Sequence, residues 1–268
     1  MEILEYFQLN EPPFRISPDP RFLYLSEQVK EALAKVQYMT RERIGPLYMY
    51  GPIGSGKTSI LRRLYEQLHQ DEHYQTVLLF APNVSRSNAF LRLVMEAFGV
   101  KTERSYDRSL RNFERFLLEQ YQSGRVPVLF VDEGQNMSRD ILKLIHYLLN
   151  FETDTEKLLQ IVLAGQEELG QKILRYRELA SRMFPTAINA MSLTDLQKML
   201  AFRWMVAGGD QQPFSDEVDK TIFVLSKGLP RDAVKLADET LRYLCIHQRK
   251  IAQPHDIQLI ASKLNLIT

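Results

Sequence analysis

The stretch LYMYGPIGSGKTSILRRLYEQL, residues 47–68, limits the possible folds more than any other part of the chain. Four residues of strand character run into a loop containing Gly51, Gly54 and Gly56, and Lys57-Thr58 then opens a helical pattern. A loop held between a buried strand and a helix N-terminus turns its backbone N–H groups inward and forms a cradle for phosphate groups. Gly51, Gly56, Lys57 and Thr58 fit G-x-x-x-x-G-K-[ST] in that context. Gly51, Pro52, Ile53, Gly54, Ser55, Gly56, Lys57, Thr58 and Ser59 are therefore expected to bind ATP. Lys57 would reach the β and γ oxygens, and the Thr58 hydroxyl would face Mg²⁺. A dinucleotide fold is disfavoured, because Ser59 stands where the third glycine of G-x-G-x-x-G would be.

Around this motif, short apolar runs alternate with amphipathic helical segments. TVLLFAP (76–82), VPVLFVDEGQN (126–136), LLQIVLAG (158–165) and TAINAM (186–191) read as strands. Helical patterns lie near 87–98, 109–122 and 138–150. Continuous apolar runs between helices indicate a parallel sheet buried on both faces, hence an α/β fold. From about 192 the strand signals stop and four helical patterns close the chain. Residues 1–25 are rich in proline and aromatics, which suits an extended ordered arm, and Ser26 caps a helix that follows. The expected domains are an arm and first helix packed on the core (1–45), an ATPase core (46–191) and an all-helical lid (192–268).

Two adjacent carboxylates end the run VLFVDEGQN. In a nucleotide hydrolase Asp132 would hold the metal and Glu133 would polarise the attacking water, unless either residue merely caps the next helix. A small kinase has no need of a water-activating Glu133, so hydrolysis is the expected reaction. Gln166, at the tip of LLQIVLAG, would sense the γ-phosphate or else cap the helix starting at 167. Arg175, Arg177 and Arg182 precede the last strand, and Arg182 is the first choice for a finger reaching a neighbour's nucleotide. Arg231 follows Pro230 in the first turn of a helix, where a cation opposes the helix dipole. That cost points to a role at the nucleotide, with a surface ion pair as the alternative.

The order of these motifs resembles the AAA+ ATPases over nearly the whole chain. The resemblance implies a five-stranded parallel sheet of order 5-1-4-3-2 followed by a lid, with nucleotide between lid and core. YFQLNEPPFRISPDPRFLYLSEQVKEAL, LLQIVLAGQEEL and GLPR are similar to segments of the ExeA-type ATPases, a group that includes secretion ATPases and the TnsC- or TniB-type regulators of DNA transposition. By this resemblance Phe22 to Leu25 would lie near the adenine. Gly134-Gln135 stands where Ala-Gln or Ala-His is commoner, and Gln166 where the wider superfamily has Asn, Ser or Thr.

The resemblance leaves two functions open. One is a slow, switch-like ATPase that assembles as a ring or filament on duplex DNA and links a target-selecting protein to a transposase. The other is a secretion or envelope-assembly ATPase acting on protein. Relatives of the second kind carry a membrane span after the ATPase, so an end at Thr268 favours the first. With 34 basic and 33 acidic residues, DNA binding has to come from a local patch repeated by assembly. Arg86, Lys101, Arg104, Arg108 and Arg111 form such a cluster, of which Lys101, Arg104 and Arg108 are the chosen DNA contacts. No run approaches the ~18 apolar residues of a membrane span, and a cytoplasmic protein is expected. His69 and His73 lack a third metal ligand, while Trp204 and the single Cys245 read as core.

Overall fold

In the computed structural model, which describes residues 2–17 and 19–266, the helices and strands follow the expected α/β order. Helices α1 (Ile3–Phe7) and α2 (Glu27–Arg41) precede β1 (Leu47–Tyr50) and α3 (Lys57–His69). Next come β2 (Tyr74–Leu79), α4 (Ser87–Ala97), α5 (Tyr106–Gln122), β3 (Val126–Val131) and α6 (Arg139–Leu148). After β4 (Gln160–Gly165), α7 (Glu167–Arg175), α8 (Arg177–Ala180) and β5 (Phe184–Ala187) the chain is helical: α9 (Leu193–Val206), α10 (Asp216–Ser226), α11 (Pro230–Ile246) and α12 (Pro254–Lys263). Met1, Pro18, Ile267 and Thr268, within the expected arm and lid, lie outside the described residues.

The strands form one parallel sheet, β2-β3-β4-β1-β5, which read from the other edge is the expected 5-1-4-3-2. Every residue of β3 and β4 is buried, as continuous apolar runs require of central strands covered on both faces. Pro127 is accommodated in β3 because the ladder to β4 begins only at Val128. The edge strand β5 is mostly exposed and carries Pro185; it starts two residues before the apolar run at 186–191.

The chain divides into two compact units. Lys30–Gly51 with Ile60–Ile188 contains the sheet, and Met1–Val29, Pro52–Ser59 and Asn189–Thr268 make the other. The sheet unit is built on Phe90, Phe113, Leu117, Leu129, Ile145 and Leu163, all fully buried.

The second unit corrects the expectation for the arm. Phe7, Leu9, Phe14 and Phe22 are buried in one core with Leu196, Leu200, Trp204, Phe214 and Leu241 of the helical domain, so the arm shares a core with the lid. Phe14 lies between Trp204 (6.4 Å between ring centres) and Phe214 (5.8 Å). Each such ring contributes roughly 1.5–3 kcal/mol by burial, enough to order a segment with little regular structure. Asn10 donates its N–H to Ala207 O at 2.9 Å, and Arg203 donates to Pro13 O and Arg15 O at 3.0 and 2.9 Å. The arm is also less extended than its prolines suggest, opening with the short helix α1 and containing a 3₁₀ turn at Pro20–Phe22.

Candidate functional site

The phosphate loop follows β1 directly. Gly51 passes so close to the backbone after β5 that a Cβ there would lie 2.1 Å from Ile188 O. Gly54 and Gly56 have φ of +83° and +99°, values that side chains disfavour, and they let successive N–H groups turn inward. Lys57 is buried, and its ammonium curls back over the loop, donating to Pro52 O at 2.8 Å and Ser55 Oγ at 3.3 Å. Thr58 and Ser59, in the first turn of α3, are half-buried, while Ile53 is exposed. A glycine loop, a helix N-terminus and an ammonium fit a chain of phosphates, although the Ser55 N–H is donated to Pro52 O at 3.3 Å within the loop.

Arg231 meets this loop through its backbone. Its N–H donates to Gly54 O at 3.2 Å, and a Cβ on Gly54 would stand 3.0 Å from Arg231 Cβ. The preceding residues explain the placement. Lys227 ends α10 with φ of +53°, and Gly228 at +71° exchanges backbone contacts with Met191, accepting its N–H at 2.8 Å. A Cβ on Gly228 would lie 2.5 Å from Met191 O. Pro230 then starts α11, leaving the Arg231 side chain exposed. Phe22 lies in the arm–lid core with the Arg203 and Arg21 guanidinium groups 5.4 and 5.5 Å from its ring centre. Burial lowers the Arg203 pKa to about 10.

In the sheet unit, β3 delivers Asp132 and Glu133 at its C-terminal end. Asp132 is buried, its N–H donates to Leu79 O at 3.0 Å, and its Oδ1 accepts the Glu133 N–H at 2.9 Å. Glu133 has φ of +55°, a left-handed conformation unusual for a residue with a side chain. Its Oε2 accepts from Gln135 Nε2 at 2.5 Å, and Gln135 Oε1 accepts the Gln166 N–H at 3.0 Å. The β3 and β4 tips are thus joined through Gln135, a residue the sequence reading did not select. Gln166 occupies the N-cap position of α7 without a side-chain capping bond.

Arg175, Arg177 and Arg182 are all exposed, and Arg182 Nη1 donates to Asn150 Oδ1 at 2.5 Å. Lys101, Arg104 and Arg108 are exposed at the start of α5 and just before it. Arg111 and Arg115 follow along α5, where they line a cleft with Arg108, Asn112, Leu118 and the carboxylates Glu103 and Glu114. His69 pairs with Thr76 and His73 with Asp71; among the described residues no His, Cys, Asp and Glu cluster is suited to a metal ion. Among the described residues no helix is long and apolar enough to cross a membrane.

The chain matches a family model described as an AAA domain over residues 40–173. It is 34% identical to general secretion pathway protein A of Aeromonas hydrophila over 243 residues, 88% of this chain and 44% of that protein. It therefore spans less than half the length of that curated relative. Similar solved structures include Drosophila ORC bound to DNA, with a TM-score of 0.69 at 17% identity, covering 100% of this chain and 67% of that one. Cdc6p from Pyrobaculum aerophilum gives 0.65 at 15%, covering 97% and 70%. The Thermotoga maritima RuvB Holliday junction branch migration motor gives 0.62 at 16%, covering 90% and 70%. At these identities the structural likeness shows the fold.

Proposed function

We propose that this chain, which belongs to the AAA ATPase domain family, is a slow, switch-like ATP hydrolase of the TnsC or TniB kind that assembles on duplex DNA and regulates transposition. In this reading Gly51 to Ser59 would hold the phosphates, and Thr58 and Asp132 would hold Mg²⁺, which would supply positive charge to the phosphate oxygens. Glu133 draws the proton of the attacking water and Gln166 senses the γ-phosphate. Arg182 of a neighbouring subunit completes the site, and Arg231 responds to the nucleotide from the lid. Phe22 is the residue assigned near the adenine. A homo-oligomeric ring or filament would meet a transposase and a target-selecting protein in the cytoplasm.

The observation that carries the reading is the exposed basic surface formed by Lys101, Arg104, Arg108, Arg111 and Arg115 on a chain of net charge +1. Glu103, Asp107 and Glu114 are interspersed with these cations, so one subunit offers only a small positive excess, and the phosphate contacts would come from its repetition by assembly. Electrophoretic shift assays with ATP, ADP and a non-hydrolysable analogue test it. ATP-dependent shifts are expected on duplexes of any sequence, with log affinity falling by about 0.9 per phosphate contact per decade of salt. Replacing Lys101, Arg104 and Arg108 together should flatten that slope on all sequences alike.

A second reading, an ATPase acting on protein partners in secretion, is favoured by the 34% identity to general secretion pathway protein A. No shift at low salt with any nucleotide would put it in front.

A further inference from the structure

Gln135 uses both ends of one amide. Its Nε2 donates to Glu133 Oε2 at 2.5 Å, while its Oε1 accepts the Gln166 N–H at 3.0 Å. Its backbone is fixed as well, because Lys172 Nζ donates to Gln135 O and, at 3.0 Å, to Met137 O. Two glycines clear the space. A Cβ on Gly165 would stand 2.8 Å from Gln135 Oε1, and one on Gly134 would stand 3.2 Å from the Leu169 side chain.

Glu133 needs such a partner. Its backbone is set by the left-handed φ and by the bond from its N–H to Asp132 Oδ1, but its side chain has three torsions of its own. A half-buried glutamate spread over several rotamers presents its carboxylate to water in the wrong place most of the time. The amide takes up Oε2 and leaves Oε1 to accept from water.

We propose that Gln135 is a positioning residue for ATP hydrolysis, which orients the Glu133 carboxylate and ties that orientation to the tip of β4 at Gln166. The proposal rests on the reading of Glu133 as the water-activating group. Gln135 touches neither nucleotide nor water in this scheme; it acts through Glu133.

The test compares kcat, KM and ATP affinity of the whole protein with those of Gln135→Leu, Gln135→His and Glu133→Gln across about pH 5.5–8.5. Leucine keeps much of the volume but removes donor and acceptor, so kcat should fall about ten-fold or more while ATP affinity stays unchanged. A neutral imidazole can donate from one ring nitrogen and accept at the other, as the amide does. Gln135→His should therefore recover most of kcat at high pH and lose it below about pH 6.5, where both nitrogens become donors. The wild type should show no such limb.

Wild-type kcat in Gln135→Leu overturns the proposal. So does an equal loss of kcat and ATP affinity, or a histidine variant no better than leucine at high pH. Glu133→Gln separates the two levels. If it hydrolyses ATP normally, the assignment of Glu133 fails; if it is inactive while Gln135→Leu is normal, only the role of Gln135 fails.

Discussion

Asp219 allows a prediction whose size follows from its surroundings. It lies in the first half of α10, is 2% exposed, and its Oδ1 has no hydrogen-bond partner among the described residues. Burial, helped by the charge of Asp216, pushes its pKa up from 3.8 to about 7. A carboxyl raised in this way binds its proton more tightly in the folded state. Stability is then fully present below the unfolded pKa near 4 and declines as pH rises towards 7, where the buried group finally ionises. The shift of about three units corresponds to at most ~4 kcal/mol in all, of which ~2 kcal/mol falls between about pH 5.5 and 8.5. Asp219→Asn keeps the shape and removes the ionisation. Its amide adds donors that cost about 1–3 kcal/mol if unpaired, but that cost does not vary with pH. Trp204, the chain's one tryptophan, is buried in the same core and reports its unfolding by fluorescence. Urea titrations should show wild-type stability falling relative to Asp219→Asn by ~2 kcal/mol across that pH range. Parallel pH profiles for the two proteins would refute the argument.

Two further outcomes concern the ATPase. Lys57→Ala should abolish nucleotide binding, whereas Glu133→Gln should bind ATP with normal affinity and fail to turn it over; equilibrium binding and phosphate release distinguish them, and equal turnover by Glu133→Gln and wild type would sink the assignment. Specific activity should rise with protein concentration and fall by about 10³-fold or more in Arg182→Ala at unchanged ATP binding. Activity per molecule that stays flat across the assembly range would exclude a shared site.

What the sequence made legible is local. The phosphate loop could be read because strand, loop and helix are contiguous in the chain, although the neighbours that crowd Gly51 and Gly54, Ile188 and Arg231, are not. The central strands were legible because burial on both faces leaves an unbroken apolar run. β5 was read two residues late for the opposite reason: as an exposed edge strand containing Pro185 it has no apolar pattern to mark its start. Gln135 was invisible as a site residue, since its value lies in meeting Gln166, which is 31 residues away in the chain. Only the pairing of β3 with β4 brings those residues together.

The arm and Arg231 show how composition signals order without naming a partner. Proline and aromatic residues in 1–25 indicate a segment that must bury rings to be ordered, and either core would satisfy that need. In the lid both Trp204 and Phe214 stack against Phe14. Arg231 was singled out for a charge placed against the helix dipole, yet it meets the phosphate loop through its N–H and Cβ, atoms that most residue types would supply. Close approach at Gly54 and Gly228 therefore explains why GLPR positions α11, while the guanidinium stays exposed and available for charge. Backbone packing and side-chain chemistry are separable at this position, so an alanine there would keep the loop contact and delete only the cation.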